Sequence, residues 1–464
     1  MPHAIGGLAR PRVAIIGSGL AGEILAARLT VFCDVTVYER GDSGLHYSPR
    51  VLATGRSFGL KSTISYGVGG TTELWRGNLI GLEPEEYGSH WPESCKNELA
   101  RSHVSVVTHL NGERSRASWF SGQRLNFDVG NLMVRSLIVP HRSPRLSLSS
   151  TWHAVSLRAN CLVDRLEEHG SEIVVVSSDD SERFRHSVDL AIVCAGALNS
   201  PLILRRSDVG SDRVGSCLTD HPMGLVAKLA IADPVRVNAL LARPTGLRSL
   251  IKVRDETSGL WASFQLCPTH DLQFDEDHYL ANGNGRAARP FWRRDLFAKL
   301  RHQSYRELWA NKALQRHRMG PYAYVLAMLE QEPDGCGSVS TRSTGQIAVS
   351  WSISETSIQA LNRSLYKLSA WLGADLHLPP FGIASRLWSG AHHAGTCPIS
   401  PNAATGVVDS DLRLHDRDRL YACDASVLPS TGASHTGLTI GSLATRLADH
   451  LIFRFSGRVV EHTR

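Results

Sequence analysis

The chain has 464 residues, of which 42% are hydrophobic, so it is long enough for two domains with separate cores. Its formal net charge is only +6 and no run of lysine and arginine exceeds two residues, which gives no case for a nucleic-acid partner. No apolar stretch approaches the length of a membrane span. Nine scattered cysteines and an N-terminus without a signal-peptide pattern predict reduced thiols and a cytoplasmic protein.

The N-terminus predicts a dinucleotide-binding turn. Residues 12–16 form an apolar run typical of a buried parallel strand, and residues 24–29 have the apolar spacing of a helix. Between them, Gly17, Gly19 and Gly22 make a G-x-G-x-x-G turn. The first glycine permits the turn, the second lets backbone approach a pyrophosphate, and the third lets helix and strand pack closely. Phosphate oxygens would then lie at the helix N-terminus.

A second predicted strand, residues 34–39, ends in the carboxylate of Glu39. An acid at this point can accept hydrogen bonds from a ribose diol. The next residue, Arg40, would suit a 2′-phosphate, but Glu39 would repel that group, so we favour a solvated arginine. A glycine-rich segment follows at 66–78, and its composition predicts backbone that passes close to a flat or anionic group.

The middle of the chain predicts a return to the nucleotide sheet and then a second domain. Residues 188–204 read as an apolar strand that runs through Ala195 and Gly196 into a helix. Four alternating stretches between 225 and 353 predict an antiparallel sheet. Residues 357–372 have the spacing of an amphipathic helix. His221, in an Asp-His-Pro sequence, is interpreted as part of a structural turn.

Two histidines lie in Gly-, Thr- and Ser-rich turns near the C-terminus. His392 and His435 are 43 positions apart, and Asp424 ends a short apolar strand between them. No third ligand has a recognisable metal spacing, so no metal site is predicted. Histidines that are merely packed remain the structural alternative. An imidazole whose pKa lies near the operating pH can remove a proton from an alcohol.

In combination, these motifs resemble the glucose–methanol–choline family of FAD-dependent oxidoreductases. The resemblance implies an α/β fold: a Rossmann-type FAD-binding domain and a second, α+β substrate domain built on an antiparallel sheet. The FAD domain is expected at 1–83, 150–222 and 386–464. The connecting region and substrate domain are expected at 84–149 and 223–385.

The resemblance also implies roles for individual residues. The catalytic pair is His392 and His435, and the register of the H-x-x-G-T motif favours His392 over its neighbour His393. Leu74 occupies the position at which some members link the flavin to a histidine, so we expect non-covalent FAD. The expected cofactor-binding residues are Gly17, Gly19, Gly22, Glu39, Gly69, Gly70, Thr71, Asn78, Val163, Ala195, Gly196, Asp424, Ala425 and Thr436.

The expected function is FAD-dependent oxidation of a CH–OH group, with histidine-assisted proton removal and hydride transfer to flavin N5. The expected substrate is a small-molecule alcohol: a sugar, a cyclitol or an amino-sugar-like polyol. The acids clustered at 271–277 and 330–334 would suit a cationic amino-sugar. A solvated acidic loop is the alternative for that cluster. The alternative function is a non-redox elimination or lyase reaction on the same fold. The electron acceptor, oxygen or another molecule, stays open.

Overall fold

A computed structural model describes residues 10–42, 46–47, 51–55, 64–74, 79–111, 127–129, 132–137, 155–241, 248–269, 272, 319–333, 337–343 and 346–461. Strands and helices are numbered below in chain order. None of the helices in these ranges is long and apolar enough to cross a membrane.

A five-stranded parallel sheet forms the first core. Its strands lie in the order β21-β12-β1-β2-β8. Their sequences are short β-branched runs such as Arg-Val-Ala-Ile-Ile, which are buried because helices and the strands of a second sheet pack against them. The Rossmann-type prediction is confirmed. The strands are β1 (Arg12–Ile16), β2 (Asp34–Tyr38), β8 (Ser156–Arg158), β12 (Leu190–Val193) and β21 (Leu420–Ala422).

Four helices accompany this sheet: α1 (Leu20–Leu29), α2 (Glu93–Asn111), α3 (Ser200–Arg206) and α6 (Thr436–Glu461). The predicted domain boundary after residue 83 differs from the structure here. Trp91, Cys95 and Leu99 are buried in the same hydrophobic cluster as β1, because α2 packs against α6. Residues 91–107 therefore belong to the first core and not to a connecting region.

A three-stranded antiparallel sheet precedes β12 and consists of β9 (Leu162–His169), β10 (Glu172–Ser178) and β11 (Arg183–Val188). A smaller sheet joins distant segments, since β4 (Val51–Gly55) pairs in parallel with β18 (Ile347–Trp351), which pairs with β17 (Gly337–Thr341). The two-residue strands β3 (His46–Tyr47) and β5 (Ser65–Tyr66) pair with each other. Single 3-10 turns occupy Gly70–Leu74, Pro84–Tyr87, Ile383–Arg386 and Ala425–Val427.

An eight-stranded antiparallel sheet forms the second core, in the order β19-β13-β16-β15-β14-β7-β6 with β20 beside β13. This confirms the predicted antiparallel substrate domain. The strands are β6 (Phe127–Val129), β7 (Leu132–Leu137), β13 (Pro222–Ile231), β14 (Arg248–Arg254), β15 (Trp261–Thr269), β16 (Tyr322–Leu329), β19 (Ala374–His377) and β20 (Trp388–Ser389).

Helix α5 (Glu355–Leu372) covers one face of this sheet, near the short helix α4 (Pro234–Leu240). Its buried leucines recur at helical spacing, and they join the sheet's cluster. Ser354 caps the N-terminus by accepting the N–H of Ser357, and Gly373 ends the helix in a left-handed conformation (φ 61°). The opposite face of the sheet is not covered by α5 and borders the candidate active site.

Candidate active site

The glycines of the N-terminal turn divide into two kinds. A Cβ at Gly17 would lie 2.4 Å from the carbonyl oxygen of Cys194, and one at Gly22 would lie 2.0 Å from that of Gly17. These two positions are glycine because backbone packs against backbone. At Gly19 the nearest atom would be Thr72 Oγ1, at an ordinary 3.8 Å. Protein packing therefore does not require glycine there, which indicates a surface shaped for another molecule.

Two further glycines border the same edge of the parallel sheet and have open space at the Cβ position. At Gly70 the nearest atom would be the Cα of Gly19, 3.6 Å away. At Gly196, where φ is +81°, no atom lies within 4 Å. Together with the N-terminus of α1, these residues form a cradle suited to a dinucleotide phosphate.

Glu39 lies at the end of β2 but its carboxylate is already bound within the protein. Oε2 accepts from the backbone N–H (3.1 Å) and the hydroxyl (2.7 Å) of Ser18. Oε1 accepts from the N–H groups of Gly41 and Gly67. The carboxylate fixes the glycine turn against the 66–70 loop, and contact with a ribose stays a prediction. Arg40 lies over the Tyr66 ring, 4.3 Å from its centroid.

Asp424 joins the ends of two parallel strands. Oδ2 accepts from the N–H of Gly196 (2.8 Å) and from the hydroxyl of Ser200 (2.5 Å), and Oδ1 accepts from the N–H of Ser426 (2.7 Å). Its side chain, predicted to meet the cofactor, thus orients Gly196 and the 3-10 turn that begins at Ala425. Direct contact with a ribityl chain stays a prediction.

The remaining predicted cofactor residues are dispersed along the same edge. Val163 is buried in β9 beside Ser177. Thr71 accepts a hydrogen bond from the N–H of Ser65, and Thr436 is the first residue of α6. Gly69 donates its N–H to the Ser18 hydroxyl, and Ala195 donates its N–H to the Ser200 hydroxyl. Asn78 and the Leu74 side chain lie outside the described residues.

Three histidines from three separate segments meet close to the N-terminus of α6. The His392 and His435 rings have centroids 5.3 Å apart, so the structure brings the predicted pair together. The third, His221, lies against His392 with their Nδ1 atoms 2.8 Å apart. The sequence predicts a structural turn at His221 and not this contact. The only signal was its proximity to Pro222, the first residue of β13, which lines the site.

The hydrogen bonds determine the tautomers of His221 and His392. His221 Nε2 lies 2.8 Å from the carbonyl oxygen of Gly432, and a carbonyl only accepts, so Nε2 carries the proton. In a neutral ring Nδ1 is then an acceptor, and His392 must donate its own Nδ1–H to it. The free lone pair of His392 consequently lies on Nε2.

Burial keeps all three imidazoles neutral. It lowers the pKa of His392 well below its ordinary value, and the neighbouring His221 and His435 lower it further. Burial also lowers the pKa of His435 to about 3, with a contribution from the charge of Lys252. The pKa of His221 is lowered for the same principal reason. A neutral imidazole is the form that can accept a proton.

The Asp220 carboxylate holds the backbone of two of these histidines in place. Its Oδ1 accepts the backbone N–H groups of both His221 (2.7 Å) and His392 (2.8 Å). Its Oδ2 accepts from the Ser389 hydroxyl and lies 3.1 Å from His393 Nδ1. Burial alone would raise the pKa of Asp220, but the charge of His393 and these hydrogen bonds lower it to about 2. His393 is thus occupied by Asp220, whereas His392 lies against His435.

A buried ion pair lies beside His435. Lys252 and Glu86 are both fully buried, with Nζ 2.5 Å from Oε2, and Nζ also contacts the Ser434 hydroxyl at 2.6 Å. Glu330 is buried nearby and accepts the N–H groups of Trp261 and Gly432. Burial raises the pKa of Glu330 to about 8. Glu330 was among the acids expected to suit a cationic substrate, but both of its oxygens face backbone.

A small recess lies between His435 and the open face of the antiparallel sheet. Apart from His435, its polar lining consists of Ser263 and Gln265. The apolar lining residues are Met223, Leu250, Leu326, Ala327 and Met328. Among the described residues, no group of three or more His, Cys, Asp or Glu side chains has the arrangement of a metal site.

The fold and the site define a class: a dinucleotide-type parallel sheet whose histidine cluster faces a recess on an antiparallel sheet. Models of both halves of the GMC oxidoreductase family match this chain, the N-terminal one over residues 149–223 and the C-terminal one over 380–444. The second match contains both predicted catalytic histidines. The resemblance to the GMC oxidoreductase family is confirmed in these two segments.

Similar proteins include a long-chain-alcohol oxidase of Arabidopsis thaliana, which is 32% identical over 111 residues. That stretch spans 23% of this chain and 14% of the relative. A crystal structure of pyridoxine 4-oxidase from Mesorbium loti superposes with a TM-score of 0.60 at 16% identity, covering 96% of this chain and 99% of that one. A fungal aryl-alcohol oxidase gives 0.60 at 17% identity over 97% and 100%. These two likenesses show the fold.

Proposed function

We propose that this protein oxidises an alcohol to the corresponding carbonyl compound with FAD as cofactor. The observation that carries the proposal is the histidine cluster, in which His392 contacts both His221 and His435. It leaves one lone pair, on Nε2 of His392, whose ring lies beside that of His435. His435 in turn lines the recess. A neutral base next to a second imidazole matches the needs of alcohol oxidation, in which an O–H proton leaves and the C–H bond is held in a fixed orientation.

The residues that would hold FAD are the open glycines Gly19, Gly70 and Gly196, with the N-terminus of α1 for the pyrophosphate and that of α6 for the ring end. When bound, FAD supplies the hydride acceptor. The prediction of non-covalent attachment rests on Leu74. The Arabidopsis relative and both structural neighbours are named as oxidases, which supports a flavin-dependent reaction but leaves the electron acceptor of this chain open.

The chain's own residues account for the movement of the proton. His392 Nε2 accepts it from the substrate hydroxyl, and His435 holds the same oxygen by a hydrogen bond. His392 is oriented for this transfer because its Nδ1–H donates to His221 Nδ1, which leaves Nε2 to accept the proton. Asp220, which lies beside the His392 backbone, adds a negative charge that favours the protonated ring.

The lining of the recess favours an alcohol with a largely apolar body. Five of its residues are aliphatic or thioether side chains, and only Ser263, Gln265 and His435 offer hydrogen bonds. A sugar or cyclitol would bury several hydroxyl groups without partners, which is costly. We therefore propose an aryl or alkyl alcohol in place of the polyol expected from the sequence.

The test is anaerobic mixing of the flavin-loaded protein with benzyl alcohol, octanol and myo-inositol, while flavin absorbance is followed. We expect bleaching by benzyl alcohol or octanol and none by myo-inositol. Reduction of the same sample by dithionite verifies that the flavin is competent. Bleaching by myo-inositol alone would restore the polyol assignment. A competent flavin that no alcohol reduces would favour the elimination or lyase alternative.

A further inference from the structure

One row of side chains crosses the sheet beneath the histidines. The strand registers pair Met223 with Met328, Met328 with Ser263, and Ser263 with Lys252. Directly paired residues on neighbouring strands have their side chains on the same face of a sheet. The row therefore changes from thioethers to a hydroxyl and then to an ammonium group along the floor of the site.

The ammonium group at the end of this row already has its partners. Lys252 donates to Glu86 and to Ser434, and it is fully buried. Its charge is balanced by the Glu86 carboxylate. The floor of the recess is thus electrically neutral, and a charged substrate group would lose its hydration there without a counter-charge.

Ser263 differs from its neighbours in the row. Only 1% of it is exposed, and its Oγ has no hydrogen-bond partner within the described parts of the chain. Buried hydroxyl groups nearly always have a partner. Ser263 also lines the recess, where the residues around it are apolar. Among the described residues of the row Met223, Met328, Ser263 and Lys252, the Ser263 hydroxyl is the buried polar group that is available to bind a ligand.

Gln265 extends the same polar strip. It lies two positions along β15, on the same face of the sheet, and it is only partly buried. A ligand that reaches the recess from His435 passes over Ser263 in the closed part and Gln265 in the more open part. The remaining walls offer only dispersion contacts.

We propose that Ser263 determines substrate specificity by binding a second, uncharged polar group of the substrate, apart from the alcohol that is oxidised. The inference rests on the proposed function. The substrate class is an alcohol with an apolar body that carries one hydrogen-bonding substituent, such as a hydroxyl, ether or carbonyl oxygen. Ser263 contacts this substituent, while His392 and His435 contact the reacting hydroxyl.

The experiment compares benzyl alcohol with its three hydroxybenzyl alcohol isomers, on the flavin-loaded wild type and on Ser263→Ala. Equilibrium dissociation constants come from calorimetry, and kcat/KM comes from flavin reduction. We expect the wild type to prefer at least one isomer over benzyl alcohol by about 10- to 100-fold, because a site built for a hydrogen bond discriminates against the analogue that lacks it. Ser263→Ala should abolish this preference, so that the four compounds give values within about twofold of one another.

Ser364→Ala is the matched control. Ser364 is also 1% exposed with an unpartnered hydroxyl, but it lies in α5 on the far side of the sheet, so the isomer preference should persist. A wild type without any preference, or one whose preference survives Ser263→Ala, overturns the proposal. Equal losses on all four compounds would do the same. If no alcohol reduces the flavin, the proposed function fails, and the dissociation constants still decide the role of Ser263.

Discussion

The nucleotide cradle and the histidine cluster are built in opposite ways. At the cradle, the decisive groups are backbone atoms and absent side chains, and residues 17–22 carry most of them in one contiguous motif. In the histidine cluster, the groups are side chains from three segments, at 220–223, 389–393 and 432–435. The rings of His221 and His392 are oriented by groups from another segment.

The nucleotide cradle and the histidine cluster therefore tolerate different kinds of substitution. A glycine turn fails when a side chain is added, because the space belongs to backbone or to a ligand. The histidine cluster fails when a side chain is removed, because the tautomer of His392 depends on His221, and that of His221 depends on the Gly432 carbonyl. The substitutions below use that asymmetry, beginning with the largest expected effect on catalysis.

Removal of the base should separate catalysis from cofactor binding most completely. His392→Ala should retain FAD and slow flavin reduction by about 10²- to 10⁴-fold, the usual contribution of a positioned base. The measurement is anaerobic stopped-flow with a reducing alcohol, together with flavin content.

The neighbouring histidine provides the control. His393→Ala removes the same side chain one position away, where the ring contacts Asp220. We expect near-normal flavin reduction and a lower melting temperature, since the buried carboxylate loses a partner. An inactive His393 variant beside an active His392 variant would reverse the assignment of the base.

Two glycine substitutions in the nucleotide cradle should have different effects, one on FAD binding and the other on protein stability. Gly19→Val adds atoms where no protein atom lies within 3.8 Å of the Cβ position, so the protein should fold but bind FAD about 10- to 100-fold more weakly. Gly22→Val places a Cβ 2.0 Å from the Gly17 carbonyl oxygen, so it should destabilise the protein even without FAD. Thermal unfolding of the apoprotein and titration with FAD distinguish the two. Equal melting temperatures would contradict this division.

The same contrast explains what could be predicted from the sequence. The glycine motif, the parallel strands and the pair His392 and His435 follow from local patterns and family motifs. The sequence does not place α2 within the range 84–149, since its burial against α6 is a long-range contact that a mixed composition does not reveal. His221 and Glu330 were misjudged for a related reason. Their partners, at 392 and 432, lie 171 and 102 positions away along the chain.

His221 should act through His392 and not on the substrate. His221→Ala should slow flavin reduction by about tenfold, since one hydrogen bond that orients the base is lost. The neighbouring His221 ring also lowers the pKa of His392. Its removal should raise that pKa, so the rate should begin to fall at a higher pH as the solution is acidified.

A conservative replacement keeps this test specific. The amide of His221→Gln can still accept from His392 and donate to the Gly432 carbonyl, so it should recover part of the rate and of the original pH profile. A merely structural role predicts a lower melting temperature with an unchanged pH profile in both variants. That outcome would exclude a positioning role.

Glu330 should affect stability more than catalysis, because it contacts backbone and not a reacting group. Its ordinary pKa of 4.5 is raised to about 8 in the folded protein. Below pH 4.5 both states are protonated and the residue contributes no pH dependence. Between pH 4.5 and 8 the unfolded state loses its proton while the folded state keeps it, so the free energy of unfolding falls, by up to about 1.4 kcal/mol per pH unit.

The Gln side chain of the Glu330→Gln variant cannot titrate. From pH 5 to pH 8 the wild type should therefore lose more free energy of unfolding than the variant does. Its amide NH₂ faces a backbone donor at either pH, and that constant cost cancels in the comparison of the two pH values. Urea unfolding of both proteins measures the shift, with the exposed Glu85→Gln as the control for loss of a carboxylate at the surface. A difference that does not change between the two pH values would mean that Glu330 is ionised in the folded protein. The buried carboxylate would then hold the Gly432 loop, and through it His221, by charge-assisted hydrogen bonds.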